Sequence, residues 1–122
     1  MAWNRIYRDT RNKTMQPRRI GAITQNQTTV NVYNGELISI NPDVEVENLY
    51  IHGGHAIIKT RGIVRNCIVN SGTLELNTGS DLSQVFVKKD SEFIVHSDVK
   101  VRGFTSNGSI RLQLFKGAAI KA

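Results

Sequence analysis

The side chains that could do chemistry in this sequence are few. His52 and His55 fall in "IHGGH", His96 stands by itself, and Cys67 is the single cysteine. Asp43, Glu45 and Glu47 alternate along "PDVEVEN". The histidine pair is a candidate for metal ligation, but no cysteine or carboxylate stands at ligand spacing beside it. A turn with polar side chains is the simpler reading. The three acids could hold a cation as a ladder of oxygens, and a solvated strand face explains them more simply. Cys67 occupies an apolar position of its segment, as a buried structural thiol does, rather than a nucleophile. "NSG" (70–72) and "SNGS" (106–109) read as turns with no hydroxyl–histidine pair. Neither a phosphate-binding loop nor a dinucleotide fingerprint occurs. Solenoids that cleave polysaccharide gather carboxylates on one face, and here Asp and Glu scatter. The expectation is a protein with no catalytic residue, no cofactor and no metal.

What would position these residues is a repeat. Blocks of 18 read "YIHGGHAIIKTRGIVRNC" (50–67), "IVNSGTLELNTGSDLSQV" (68–85), "FVKKDSEFIVHSDVKVRG" (86–103) and "FTSNGSIRLQLFKGAAIK" (104–121). A fifth, "NVYNGELISINPDVEVEN" (31–48), fits with an offset of one. The fifth position of each is Gly35, Gly54, Gly72, Asp90 and Gly108, all tolerant of tight turns. The ninth position of the last four is Ile58, Leu76, Ile94 and Leu112. The second is Ile51, Val69, Val87 and Thr105. An antiparallel sandwich would explain alternation, but not this match of like with like at a fixed lag. The pattern predicts an all-β fold: a single-stranded parallel β-solenoid, a triangular β-helix with ~18 residues per coil and about five coils. Parallel stacking at about 4.8 Å makes this a rod of roughly 24 Å.

Residues 18 apart should then be neighbours. Asp43 is expected beside Arg61, Glu47 beside Arg65 and Asp98 beside Lys116, as exposed pairs that set register more than stability. In the first strand of each coil, Leu49/Ile51, Cys67/Val69 and Val85/Val87 are expected inward. Tyr50, Ile68, Phe86 and Phe104 are then expected outward, as an apolar stripe that a soluble monomer rarely leaves open. A one-residue slip would invert the faces. Leu74 and Leu76 are expected inward with Glu75 outward, and Ile110 and Leu112 inward with Arg111 and Gln113 outward. Val44 and Val46 complete the inward set.

The chain has 122 residues and a net charge of +6, enough for one domain with a modest core. Its single cysteine excludes an internal disulfide framework. No apolar run is long enough for a membrane helix, and "MAWNRIYRDTRNKTMQPRRI" has no apolar core of a secretory signal. The charge is uneven. Residues 1–20 hold Arg5, Arg8, Arg11, Lys13, Arg18 and Arg19 against Asp9 alone, while the rest is nearly neutral. Residues 1–24 read as a basic extended arm and 25–122 as the solenoid domain. Trp3, Ile6 and Tyr7 are apolar anchors among the arginines, the residue types enriched at interface hot spots. The arm's partner-binding residues are expected to be Trp3, Arg5, Tyr7, Arg8, Arg11, Arg18 and Arg19, directed at an acidic protein surface. Nucleic acid is the competing partner, disfavoured because the body lacks a basic groove with aromatic platforms.

The coil repeat resembles two groups of proteins. One is the bactofilins, bacterial cytoskeletal proteins with a triangular β-solenoid that polymerise end to end. This chain is similar in coil length and size but lacks their Gly-Val-Gly-type corners. The other is the β-helical cement or decoration proteins, and related tail components, of tailed bacteriophages. Arm, repeat and outward stripe together resemble these more. That resemblance implies a structural virion protein on the capsid exterior, assembled in the host cytoplasm. It implies a homotrimer closed by Tyr50, Ile68, Phe86 and Phe104, with the arm on the major capsid protein. A bactofilin-like filament or a tail component is the alternative. Neither nucleic acid nor a membrane is an expected partner.

Overall fold

The computed structural model describes residues 19–121. The regular elements are β1 (Arg19–Ile23), β2 (Gln27–Tyr33), β3 (Glu36–Ile40), β4 (Glu45–Ile58), β5 (Ile63–Leu76), β6 (Asp81–Val87), β7 (Glu92–Val95), β8 (Lys100–Val101), β9 (Phe104–Ser106), β10 (Arg111–Leu114) and β11 (Ala119–Ile120). Every pairing among them is parallel. The chain is a β-solenoid of about six turns, one more than the repeat predicts, with turns ~18 residues apart. The additional turn starts at Arg19: β1, assigned to the arm from sequence, lies on β3 in register from Arg19↔Glu36 to Ile23↔Ile40.

Two columns of strands carry the stack. β1, β3, the second half of β4, the second half of β5, β7 and β10 form one. β2, the first halves of β4 and β5, β6 and β9 form the other. Alternation of side chains puts Val46, Leu49, Ile51, Ala56 and Ile58 of one turn inside, over Val64, Cys67, Val69, Leu74 and Leu76 of the next, all buried. Full burial of each larger aliphatic side chain stabilises the fold by about 1.5–3 kcal/mol. The inward assignments of Leu49, Ile51, Cys67, Val69, Val85, Val87, Leu74, Leu76, Val44 and Val46 match their burial.

One corner repeats through the stack as a left-handed residue: Asp43, Arg61, Gly79, Asp98 and Gly117, with φ of 67°, 65°, 86°, 67° and 80°. Gly and Asp adopt this conformation readily and Arg does not. Arg61 is held there by the ladder, accepting from the Asp43 N–H and donating to the Gly79 carbonyl, both at 2.9 Å.

The step between turns is not constant. Asp43 to Arg61 and Leu49 to Cys67 are eighteen apart, but Thr73 pairs with Glu92 and Leu74 with Phe93, nineteen apart. The additional residue lies at the corner between Val87 and Glu92, where Lys88–Ser91 replaces the three residues 70–72 between Val69 and Thr73. Because strand side chains alternate, this corner turns the expected faces over. Phe93 and Val95 are buried, and Ile94, the ninth-position match of Leu76 in the repeat, points out beside Glu75 and Gln113. Phe104 pairs with Val85 rather than Phe86, packs against the core and stacks on Phe93 at 6.0 Å. Thr105 takes the outward position over Phe86.

Candidate functional site

The outward column of the second stack is Tyr50, Ile68, Phe86 and Thr105, in direct register. It is therefore a stripe of three large apolar residues, not four. Beside it runs a column of amides, Asn48, Asn66 and Gln84. Asn66 Nδ2 donates to the Glu47 carbonyl at 3.4 Å and reaches Asn48 Oδ1 at 3.5 Å. Asn48 Nδ2 donates to the Thr28 carbonyl at 3.4 Å. The two columns and Thr105 line a shallow groove of about 530 Å³. Tyr50, Ile68 and Phe86 are each half-buried by the residues stacked above and below them. The amide column was missed in the sequence, although Asn48 and Asn66 recur at the same lag as the apolar residues.

A second cluster joins residues that sequence spacing kept apart. His55 Nε2 lies 3.0 Å from Glu75 Oε1, and His96 Nε2 lies 2.6 Å from Glu75 Oε2. One carboxylate thus ties three successive turns. Burial pushes the Glu75 pKa up, but hydrogen bonds and charge from His96 and His55 outweigh it and hold the carboxyl below its ordinary value. His96, solitary in the sequence, also stacks flat on Phe115 at 4.7 Å. His52 donates from Nε2 to Asn31 Oδ1 at 3.0 Å and accepts at Nδ1 from Asn70 Nδ2 at 3.2 Å, a tautomer assigned from the partners. Its ring stacks on Tyr33 at 5.3 Å. Each histidine nitrogen named here is directed at a neighbour in the wall. Among the described residues no group of three His, Cys, Asp or Glu could hold a metal ion.

Two of the three alternating acids, Asp43 and Glu45, make inter-turn ties. Asp43 Oδ1 accepts from Arg61 Nε at 3.0 Å, as the 18-residue step predicts, and Arg61 lowers the Asp43 pKa through that bond and its charge. Arg65, expected on Glu47, instead donates to Glu45 Oε2 at 2.6 Å. The backbone register is as expected, and the long Arg65 side chain reaches diagonally across it. Asp98 and Lys116 meet through the backbone, Asp98 N–H to the Lys116 carbonyl at 3.1 Å. Cys67 is buried in the core and burial pushes its thiol pKa up, which suits the structural reading rather than a nucleophile.

Of the expected arm residues, Trp3, Arg5, Tyr7, Arg8, Arg11 and Arg18 lie outside the described residues. Arg19 is at the start of β1, with Nε 3.1 Å from Glu36 Oε2, and so belongs to the body. Glu36 also accepts from the Tyr33 N–H at 2.8 Å. Among the described residues no helix is long and apolar enough to cross a membrane. No family, no curated protein and no solved structure matches the chain. The class is set by the coordinates alone: a parallel β-solenoid.

Proposed function

We propose that this protein is a non-enzymatic structural component of a virion, a capsid cement protein that trimerises through one solenoid face and clamps neighbouring capsid subunits with its basic N-terminal segment. The observation that carries the reading is the outward column of Tyr50, Ile68 and Phe86 along a groove flanked by amides. Three such faces meeting about an axis would cover the apolar column, while Asn48, Asn66 and Gln84 would supply hydrogen bonds at its border. A rigid body bearing three basic, aromatic segments gains avidity without strong single contacts. Thr105 in place of Phe104 restricts the apolar seam to three turns. Deleting residues 1–18 tests the division of labour: the trimer should persist and binding to the particle should be lost. A truncated chain that binds the particle as well as the full one would overturn it.

A filament is the second reading, and one observation favours it. In the last described turn Leu112 and Leu114 are 47% and 45% exposed although they stand in the core column.

A further inference from the structure

The corner "SNGS" (106–109) reads in sequence as a simple turn, yet it holds an asparagine followed by glycine, Asn107–Gly108. The sequence has one other such step, Asn34–Gly35. An asparagine side-chain amide is open to attack by the next backbone nitrogen, and glycine, with no Cβ, leaves that nitrogen unshielded and free to turn. The two steps are placed differently. Asn34 lies over Gly53 of the next turn: a Cβ on Gly53 would stand 3.2 Å from Asn34 Cβ and 3.6 Å from its Cγ. Gly35 is left-handed, with φ of 84°, and its carbonyl accepts from the Arg19 N–H at 3.2 Å, which ties the corner to β1. Asn107 and Gly108 are both exposed. Ser106 Oγ donates to the Gly108 carbonyl at 2.8 Å and accepts from the Gly108 N–H at 3.4 Å, so these bonds stay within the corner. The bond that ties this step to the preceding turn runs from the Lys89 N–H to Asn107 Oδ1, at 2.8 Å.

We propose that Asn107 is a self-modification site, where the folded chain converts a side-chain amide to aspartate and isoaspartate. The Gly108 nitrogen attacks Asn107 Cγ and gives up its proton to water. The Cγ–Nδ2 bond breaks, ammonia leaves, and a five-membered succinimide is closed. Water then opens the ring. Addition at Cγ restores the main chain with an aspartate side chain. Addition at the main-chain carbonyl carbon of Asn107 routes the chain through Cγ and gives isoaspartate. One water is consumed and one ammonia released. The fold favours this at one step and opposes it at the other. Oδ1 stays on Cγ throughout, so the Lys89 bond is kept. That N–H draws electron density from the carbonyl under attack and stabilises the charge that grows on Oδ1, as an oxyanion-hole donor does. In the aspartate product the same bond becomes charge-assisted and stronger. At Asn34 the reaction must lift the side chain off Gly53 and turn Gly35 out of its tie to Arg19. The new charge arises two residues from Thr105, at the border of the groove. The chemistry is independent of whether the Tyr50–Ile68–Phe86 face closes a trimer.

Peptide mapping by mass spectrometry tests it in the full chain, aged at mildly alkaline pH both folded and in urea. The mass gain of amide-to-acid conversion is followed at the two Asn–Gly steps, with isoaspartate and aspartate separated by retention. In urea the two steps should convert at similar rates. Folding should slow Asn34 by about fivefold or more, while Asn107 should convert at least as fast as it does in urea. Asn107→Gln keeps a side-chain amide but, one carbon longer, closes its ring far more slowly. It should remove the main acidic species that ion exchange resolves in the aged folded chain. Protection of Asn107 by folding to the same extent as Asn34 would overturn the proposal. So would an acidic species that persists undiminished in Asn107→Gln.

Discussion

The middle of the rod and its last turn use the same alternation and bury it very differently. Leu74 and Leu76 of β5 are fully buried, while Leu112 and Leu114 of β10, in the same two columns, are nearly half exposed. The local sequences "TLEL" and "RLQL" are nearly interchangeable. What differs is the presence of a described turn on both sides. In a solenoid each turn buries only half of its neighbour's apolar face, so core character is a property of position in the stack. The middle is a closed wall tied by Asp43–Arg61, Glu45–Arg65 and the His55–Glu75–His96 clasp, and the last described turn has a described neighbour on one side alone.

Paired substitutions would break or sharpen this contrast. Leu76→Ala should cost about 2–5 kcal/mol in urea unfolding, and Leu114→Ala, losing roughly half the burial, about 1 kcal/mol. Equal costs would mean that the last turn is covered in solution. Ser91 comes next. It is fully buried at the lengthened corner, and its Oγ has no hydrogen-bond partner. Ser91→Ala should stabilise by about 1 kcal/mol, and a loss of stability would show that the hydroxyl is satisfied. The clasp gives a smaller, pH-dependent effect. The folded Glu75 carboxyl is held below its usual value of 4.5. Its contribution is therefore present above that pH and fades as the pH falls through the lowered value. Glu75→Gln should flatten the acid limb of a stability–pH curve below about pH 4.5, and an unchanged limb would assign the acid sensitivity elsewhere. The smallest contrast is at the left-handed corner. Asp43→Asn, which keeps a residue suited to positive φ but removes the charge, should change the melting temperature little, and Asp43→Ala should lower it more. The reverse order would make the ion pair, not the backbone, the important feature.

Much of this was legible because strand alternation and turn residues are local. The repeat, the inward residues from Leu49 to Leu76 and the Asp43–Arg61 tie all follow from a fixed lag of eighteen. The lag fails at Lys88–Ser91, and that corner accounts for the assignment of Phe104 to the outward stripe and for the ninth-position match of Ile94 with Leu76, which points the other way. A different alignment would have exposed it. The corner dipeptides Pro42–Asp43, Thr60–Arg61, Thr78–Gly79, Ser97–Asp98 and Lys116–Gly117 step by eighteen, eighteen, nineteen and nineteen. They were hidden because Arg61 is an atypical left-handed residue and breaks the Gly/Asp pattern. Fifth-position glycines were a poorer guide: Gly35, Gly72 and Asp90 have positive φ, but in "IHGGH" it is Gly53 rather than Gly54. The Glu75 clasp was not legible because its histidines lie twenty and twenty-one residues away and meet the carboxylate only by diagonal reach.

The central claim is that the Tyr50–Ile68–Phe86 face closes an oligomer, and the most direct test is the mass of the full chain in dilute solution by light scattering. The account predicts three copies of the 13.6 kDa chain, falling to a folded single copy in Ile68→Glu. A wild-type protein that is a single copy, or an oligomer that Ile68→Glu leaves intact, would contradict it.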